Sequence, residues 1–219
     1  MVVQHNLQAA NTNRMLGQNV KAVSKSTEKL SSGYQVNRAA DDAAGLSISE
    51  KMRNQIRGIN QAVKNSEDGV SLIQTAEGNM NEIHSILQRM GELATKAAND
   101  VNATEDRKAI ADEMTELRNE IDSISSKAAF NGTKLLTGDF KSKFLQVGAN
   151  AKENMEIAIK TMNTTALKLS KGDVSVSSHA LASHAMSQIS SAIKTVSAAR
   201  SELGAKQNRL NYTINNLEN

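Results

Sequence analysis

The sequence contains no cysteine, no proline and no tryptophan. Without cysteine there is neither a disulfide framework nor a thiolate metal site. Without proline there is no residue that must break a helix. Aromatic residues make up only 2% of the 219 positions, as three Phe and two Tyr. Large aromatics carry much of the buried area of a compact core, so this composition predicts a thin, elongated body. No apolar run reaches the roughly 18 residues of a membrane-spanning helix. The opening MVVQHNLQAANTNRML is interrupted by Gln, Asn and Arg. It lacks the unbroken apolar segment of a secretory signal peptide, so an extracellular role implies export by a route that reads no such signal.

Charge is nearly balanced, with 26 Lys and Arg against 23 Asp and Glu, a net +3. The two signs are interleaved. Neither a clustered basic face nor interspersed stacking aromatics is visible, so nucleic acid is not an expected partner.

What is present is helical periodicity. Leu7, Ala10, Leu16, Val20, Val23, Thr27 and Leu30 recur mostly at three and four residues, which predicts an amphipathic helix. Gly33 is a natural end to it. A longer segment, about Ser47 to Ala98, carries a seam through Ile48, Met52, Ile56, Ile59, Val63, Ser66, Val70 and Ile73. It continues through Ala76, Met80, Ile83, Leu87, Met90, Ala94 and Ala97. The alternation of four and three slips near Ile73–Ala76, which reads as a stammer. Fully helical, this segment spans about 75–80 Å at ~1.5 Å per residue.

Asn99 to Ala103 forms a polar turn. Thr104 is a candidate cap for a third helix with the stripe Ile110, Met114, Leu117, Ile121, Ile124 and Ala128. The short link predicts an antiparallel helix hairpin. Asn131-Gly132 and Thr137-Gly138-Asp139 are turn signals, and partial alternation predicts a β-hairpin between about Lys141 and Lys160. Asn163 to Ser178 is a Ser/Thr/Lys-rich loop. A last helix, about Ser178 to Leu217, carries Ile189, Ile193, Val196, Ala199, Leu203, Leu210, Ile214 and Leu217. The expected fold is mainly α: an elongated antiparallel helical bundle or coiled-coil rod with a small β-hairpin region.

The histidines are His5, His84, His179 and His184. His179 and His184 are five apart, which is off a common helix face. No HExxH, Gly-rich phosphate loop, EF-hand loop or Gly-x-Ser-x-Gly occurs, so no catalytic residue, metal ligand or cofactor is assigned. The one tempting acid pair is Asp41-Asp42. Adjacent side chains do not face each other on a helix. Asp41 or Asp42 is better read as the cap of the following helix, beside Ala39, Ala40, Ala43, Ala44 and Gly45, which permit close approach.

The run EKLSSGYQVNRAADDAAGLSISEKMRNQIRG, Glu28 to Gly58, resembles the amino-terminal signature of bacterial flagellins. The likeness continues in NSEDGVSLIQTAEGNMNEIHSILQRMGELATKAAN and RNEIDSISSKAAFNGTKLL, and returns in ELGAKQNRLNYTINNLEN. It covers Met1 to about Leu136 and about Ser187 to Asn219. The resemblance implies a structural, non-enzymatic subunit of the flagellar filament. Its partners would be further copies of itself and the flagellar export and cap machinery. It would be extracellular, with no membrane contact. Residues 1–40 would form an inner-core helix and connecting spoke, and 41–219 a rod of long helices with a hairpin and loop at about 137–178. Leu30, Gly33, Asn37, Arg38, Asp41, Asp42 and Gly45 would be assembly and spoke residues. Flagellins continue past the last matching region with a helical segment that pairs with the first helix, so the expected partner of Leu7–Leu30 lies beyond Asn219.

Members of the family are also recognised by Toll-like receptor 5. The resemblance implies that Arg89 enters a receptor pocket, Leu93 adds apolar contact and Glu113 polar contact, with Gln88 and Ile110 beside them. Gly91 and Lys96 depart from the usual pattern there. A hook–filament junction protein of the same superfamily is the alternative; the DDAAG and QNRL segments and the short insert favour flagellin. An enzyme carried in the outer insert is disfavoured by the short loop.

Overall fold

The computed structural model describes residues 6–219, so His5 and the rest of the first five positions of the expected inner-core domain lie outside the described residues. The chain divides into two compact units, one through Arg57 and one from Gly58 to Asn219.

In the first unit, α1 runs over Leu7–Ser32. The Asn6 side chain accepts a hydrogen bond from the Ala9 amide at 3.0 Å and so caps its start. Gly33 ends it in the left-handed conformation (φ 71°), its amide donating to the Lys29 carbonyl at 2.9 Å. The expected end is therefore found, but the expected burial is not: no residue of α1 is buried. Leu16, Val20 and Val23 are 59–65% exposed. The second helix, α2, spans Ala43–Ala97. Ile48, Met52 and Ile56 on its opening turns were expected in the seam and are also more than half exposed.

The second unit holds the core. There α2 is joined by α3 (Thr104–Lys127) and α4 (His179–Glu218). Pairings run in opposite directions along α2 and α4: Gly69 faces Leu210, Glu77 meets Arg200, and Gly91 faces Ile189. Arg89 meets Glu113 while Asp100 meets Arg107, so α2 and α3 are antiparallel as expected. Ser178 caps α4, accepting from the Leu181 amide. Ala103, not Thr104, is the residue before α3; its amide donates to the Asp106 carboxylate at 3.2 Å. The capping comes from the acid inside the first turn, so no cap hydroxyl is needed.

The buried seam of α2 is Ala62, Ser66, Gly69, Ile73, Ala76, Met80, Ile83, Leu87, Met90, Ala94 and Ala97, with Leu93 beside it. This spacing alternates four and three without a break, so the expected slip is absent. The register differs because Ala62 and Gly69 occupy seam positions that larger neighbours, Val63 and Val70, were expected to fill. The β-hairpin explains the choice. Strands β3 (Lys143–Gln146) and β4 (Asn154–Ile157) pair antiparallel, Leu145 opposite Met155. A Cβ at Gly69 would collide with the Leu145 side chain, and one at Gly58 would sit 2.9 Å from the Ala149 Cβ. Small residues on α2 let the hairpin lie against it.

A shorter pair, β1 (Ala129–Phe130) and β2 (Thr133–Lys134), closes through Asn131 (φ 46°) and Gly132 (φ 76°). The Asn-Gly turn was legible; two-residue strands were not. The Ser/Thr/Lys-rich loop is a packed strap. It buries Leu167, Leu169, Val174 and Val176. Arg118 donates to the Leu169 carbonyl at 2.6 Å, and Asp122 accepts from the Thr164 amide and hydroxyl at 2.9 and 2.8 Å. Buried Ser66 and Ser125 are satisfied by the Ala62 and Leu136 carbonyls, as buried hydroxyls must be.

Candidate functional site

Two regions gather the residues singled out in the sequence. The first is the connection from Gly33 to Gly45. Its adjacent carboxylates serve opposite directions. Asp42 is the cap of α2: its Oδ1 accepts from the Gly45 amide at 2.9 Å, and its carbonyl accepts from Leu46 at 3.0 Å. A Cβ at Gly45 would run into this carboxylate, so glycine is what fits beneath the cap. Asp41 reaches back instead, with Oδ1 2.6 Å from the Lys25 ammonium on α1. The Lys25 hydrogen bond holds the Asp41 carboxyl below its ordinary range.

Two neighbours make the same return. Arg38 Nε donates to Glu28 Oε1 at 3.0 Å, and the Asn37 side-chain amide donates to the Glu28 carbonyl at 3.2 Å. Asn37, Arg38 and Asp41 thus bind the connection to α1, and Asp42 starts α2. Arg53 lies 5.6 Å from the centroid of the Tyr34 ring and pairs with Glu50 at 2.8 Å, a cation–π contact that sequence spacing did not reveal. Leu30 is exposed and makes none of these bonds.

The second region is a groove of about 500 Å³ lined by Arg89 and Leu93 of α2 and Ile110 and Glu113 of α3. Arg89 Nε and Nη2 both approach Glu113 Oε1, at 3.0 and 2.9 Å, and Nη1 meets Glu92 Oε2 at 3.1 Å. Glu113, and after it Glu92, raises the Arg89 pKa above its ordinary value. A guanidinium is ionised in any case, so the pairing acts on its orientation. Leu93, expected as an apolar contact, is only 3% exposed; it belongs to the core and forms the groove floor with Ile110. Gln88 does not join the groove lining, and its amide nitrogen lies 3.2 Å from His84 Nε2.

The turn below the groove is fastened by residues that the sequence reading passed over. The Asn102 side chain donates to the Lys96 and Asn99 carbonyls at 2.6 and 3.0 Å, and Arg107 donates to the Asn99 carbonyl and Asp100. The only signal was the polar composition of Asn99–Ala103. Among the described residues no three His, Cys, Asp or Glu side chains gather as a metal site, and no helix is long and apolar enough to cross a membrane. His184 is spent locally, within 3.2 Å of the Asp173 carbonyl and 3.3 Å of Gln188.

Comparison with known proteins agrees with this architecture. Residues 3–141 match the bacterial flagellin N-terminal helical region, and residues 186–219 the bacterial flagellin C-terminal helical region. The chain is 48% identical to a flagellin of Halalkalibacterium halodurans, over all of this chain and 80% of that one. It is 43% identical to a flagellin of Bacillus subtilis, over 99% of this chain and 82% of that one. The crystal structure of Bacillus cereus flagellin superposes with a TM-score of 0.61 at 29% identity, covering 70% of this chain and 88% of the other. The chain belongs to the bacterial flagellin family and is a structural, self-polymerising subunit of the flagellar filament.

Proposed function

We propose that residues 1–40 act as the inner-core helix and spoke of the filament and residues 41–219 as its rod. The observation that carries this is α1, a 26-residue helix with an apolar row and no buried residue. Such a row loses free energy by staying in water, about 25 cal/mol for each Å² left uncovered, and is stabilised when neighbouring subunits cover it. The exposed alanines Ala39, Ala40, Ala43 and Ala44 allow close approach at the joint, and exposed Leu30 offers apolar area there. The chain reaches the outside of the cell through the flagellar export channel and is placed by the cap machinery. Limited proteolysis tests the inner-core assignment. Cleavage within Leu7–Ser32 is expected to be rapid in free subunits and suppressed in filaments; equal cleavage in both states contradicts it.

The groove supports a second role, recognition of the rod by Toll-like receptor 5. Arg89 is exposed, aimed by Glu113 and set over an apolar floor, the arrangement of an interface anchor. Gln88 sits outside the groove lining and contributes from the adjoining helix face. Arg89→Ala is expected to weaken binding to the receptor ectodomain by about tenfold or more with unchanged thermal unfolding. Equal binding of the two proteins contradicts this reading.

A further inference from the structure

The chain has only three phenylalanines, and all three line one apolar pocket. Phe130, Phe140 and Phe144 surround a space of about 200 Å³ together with Leu72, Leu145 and Ile157. Phe140, Leu145 and Ile157 belong to or abut the core, but Phe144 is 67% exposed. The hairpin register explains this. Met155 and Ile157 face inward, and Leu145 opposite Met155 is half-buried with them, which leaves its neighbour Phe144 on the outer side as a rim. A sequence so poor in aromatics has gathered its phenylalanines around an open pocket and left one in water.

We propose that this pocket receives the Met52 side chain of a second copy of the chain, with Ile48 and Ile56 of the same helix against its edges. The proposal rests on the filament reading, in which other copies are the partners at hand. Three observations select this occupant. Ile48, Met52 and Ile56 are each more than half exposed and form a single row at four-residue spacing, about 12 Å from end to end. A pocket of about 200 Å³ has room for one long aliphatic side chain, and an unbranched thioether fits an irregular space among aromatic rings.

A charge also matches. Asp68 stands at the pocket without an ion-pair partner among the described residues. On the row, Lys51 precedes Met52, likewise without one, and supplies a cation for Asp68, whereas Glu50 is already held by Arg53. The two surfaces differ from each other, so the contact is head-to-tail. Repeated, such a contact builds an open helical filament rather than a closed pair.

The absence of cysteine gives a clean test, because any thiol introduced is the only one present. In filaments of the full-length protein, Met52→Cys/Phe144→Cys is expected to oxidise to a ladder of dimers, trimers and higher species on a non-reducing gel. The control Met52→Cys/Val101→Cys, with an exposed residue away from the pocket, is expected to give none. Filaments that form but give no ladder, or an equal ladder from the control, overturn the contact while leaving the filament reading standing. As a second measure, Phe144→Ala is expected to raise the critical concentration for polymerisation about tenfold with an unchanged melting temperature. An unchanged critical concentration overturns the proposal.

Discussion

Asp41 and Asp42 are neighbours in sequence and bind in opposite directions, Asp41 to Lys25 on α1 at 2.6 Å and Asp42 to the Gly45 amide of α2 at 2.9 Å. This division makes the connection between the helices a specified joint rather than a slack linker. Each carboxylate can be removed separately, and the two removals have different consequences.

Loss of the cap should loosen α2. Asp42→Ala leaves the Gly45 amide without its partner, at a cost of about 0.5–2 kcal/mol in helix stability. Hydrogen exchange at residues 43–46 should accelerate, and filament assembly should slow. Unchanged exchange at those amides would show that another group satisfies them.

The Lys25–Asp41 pair makes the joint sensitive to acid. Asp41 has a folded pKa below its ordinary value of 3.8. A depressed carboxyl stabilises the folded state above the unfolded pKa and loses that contribution as pH falls through the folded value. Protection of residues 33–42 should therefore hold from neutral pH to about pH 4 and fall below it. In Asp41→Asn the protection should be lower throughout and lack this acid step. A step of the same size in the mutant would assign it to another group.

Two glycines of α2 should respond oppositely to alanine. At Gly78 a Cβ meets nothing within 4 Å, so Gly78→Ala should gain helix propensity, about 0.8–1 kcal/mol. At Gly69 the same methyl collides with Leu145 and lies 3.3 Å from Leu210 Cδ1. Overpacking costs about 1–3 kcal/mol, which outweighs the propensity gain, so Gly69→Ala should lower the urea midpoint. Equal stabilisation by both changes would mean that the hairpin does not seat against α2.

The strap over α3 should depend on one carboxylate. Asp122→Ala leaves the Thr164 amide and its buried hydroxyl unpaired. A buried unsatisfied group costs about 1–3 kcal/mol. Proteolysis within residues 163–178 should accelerate, with the helices unfolding at a modestly lower temperature. Resistance equal to that of the parent would place the hold on the strap in Arg118 and the buried leucines.

The helices were legible in the sequence because apolar spacing of three and four reports a helix whatever covers it. The same signal does not say which molecule does the covering. Leu16, Val20, Val23, Ile48, Met52 and Ile56 obey the rule as well as Met80 or Leu87 does, yet only the latter are buried within the chain. The seam was misplaced at Val70 because a larger apolar residue outscored Gly69, whose value lies in what it lets approach. That one of the two aspartates caps α2 could be read from local chemistry alone, but not that it is Asp42. The pairing of Asp41 with Lys25 could not, since it depends on how the chain turns after Gly33. Arg89 and Glu113 follow from the antiparallel hairpin once its register is known, whereas the burial of Leu93 depends on packing that spacing alone leaves open.

The central claim is that the uncovered row of α1 is an assembly surface. Sedimentation of the full-length protein under polymerising conditions tests it most directly. Wild-type protein should pellet as filaments visible by electron microscopy. Val20→Asp/Val23→Asp should remain in the supernatant with the unfolding temperature of the second unit unchanged, because neither residue is buried in the subunit. A double variant that pellets as fully as wild type would contradict the account.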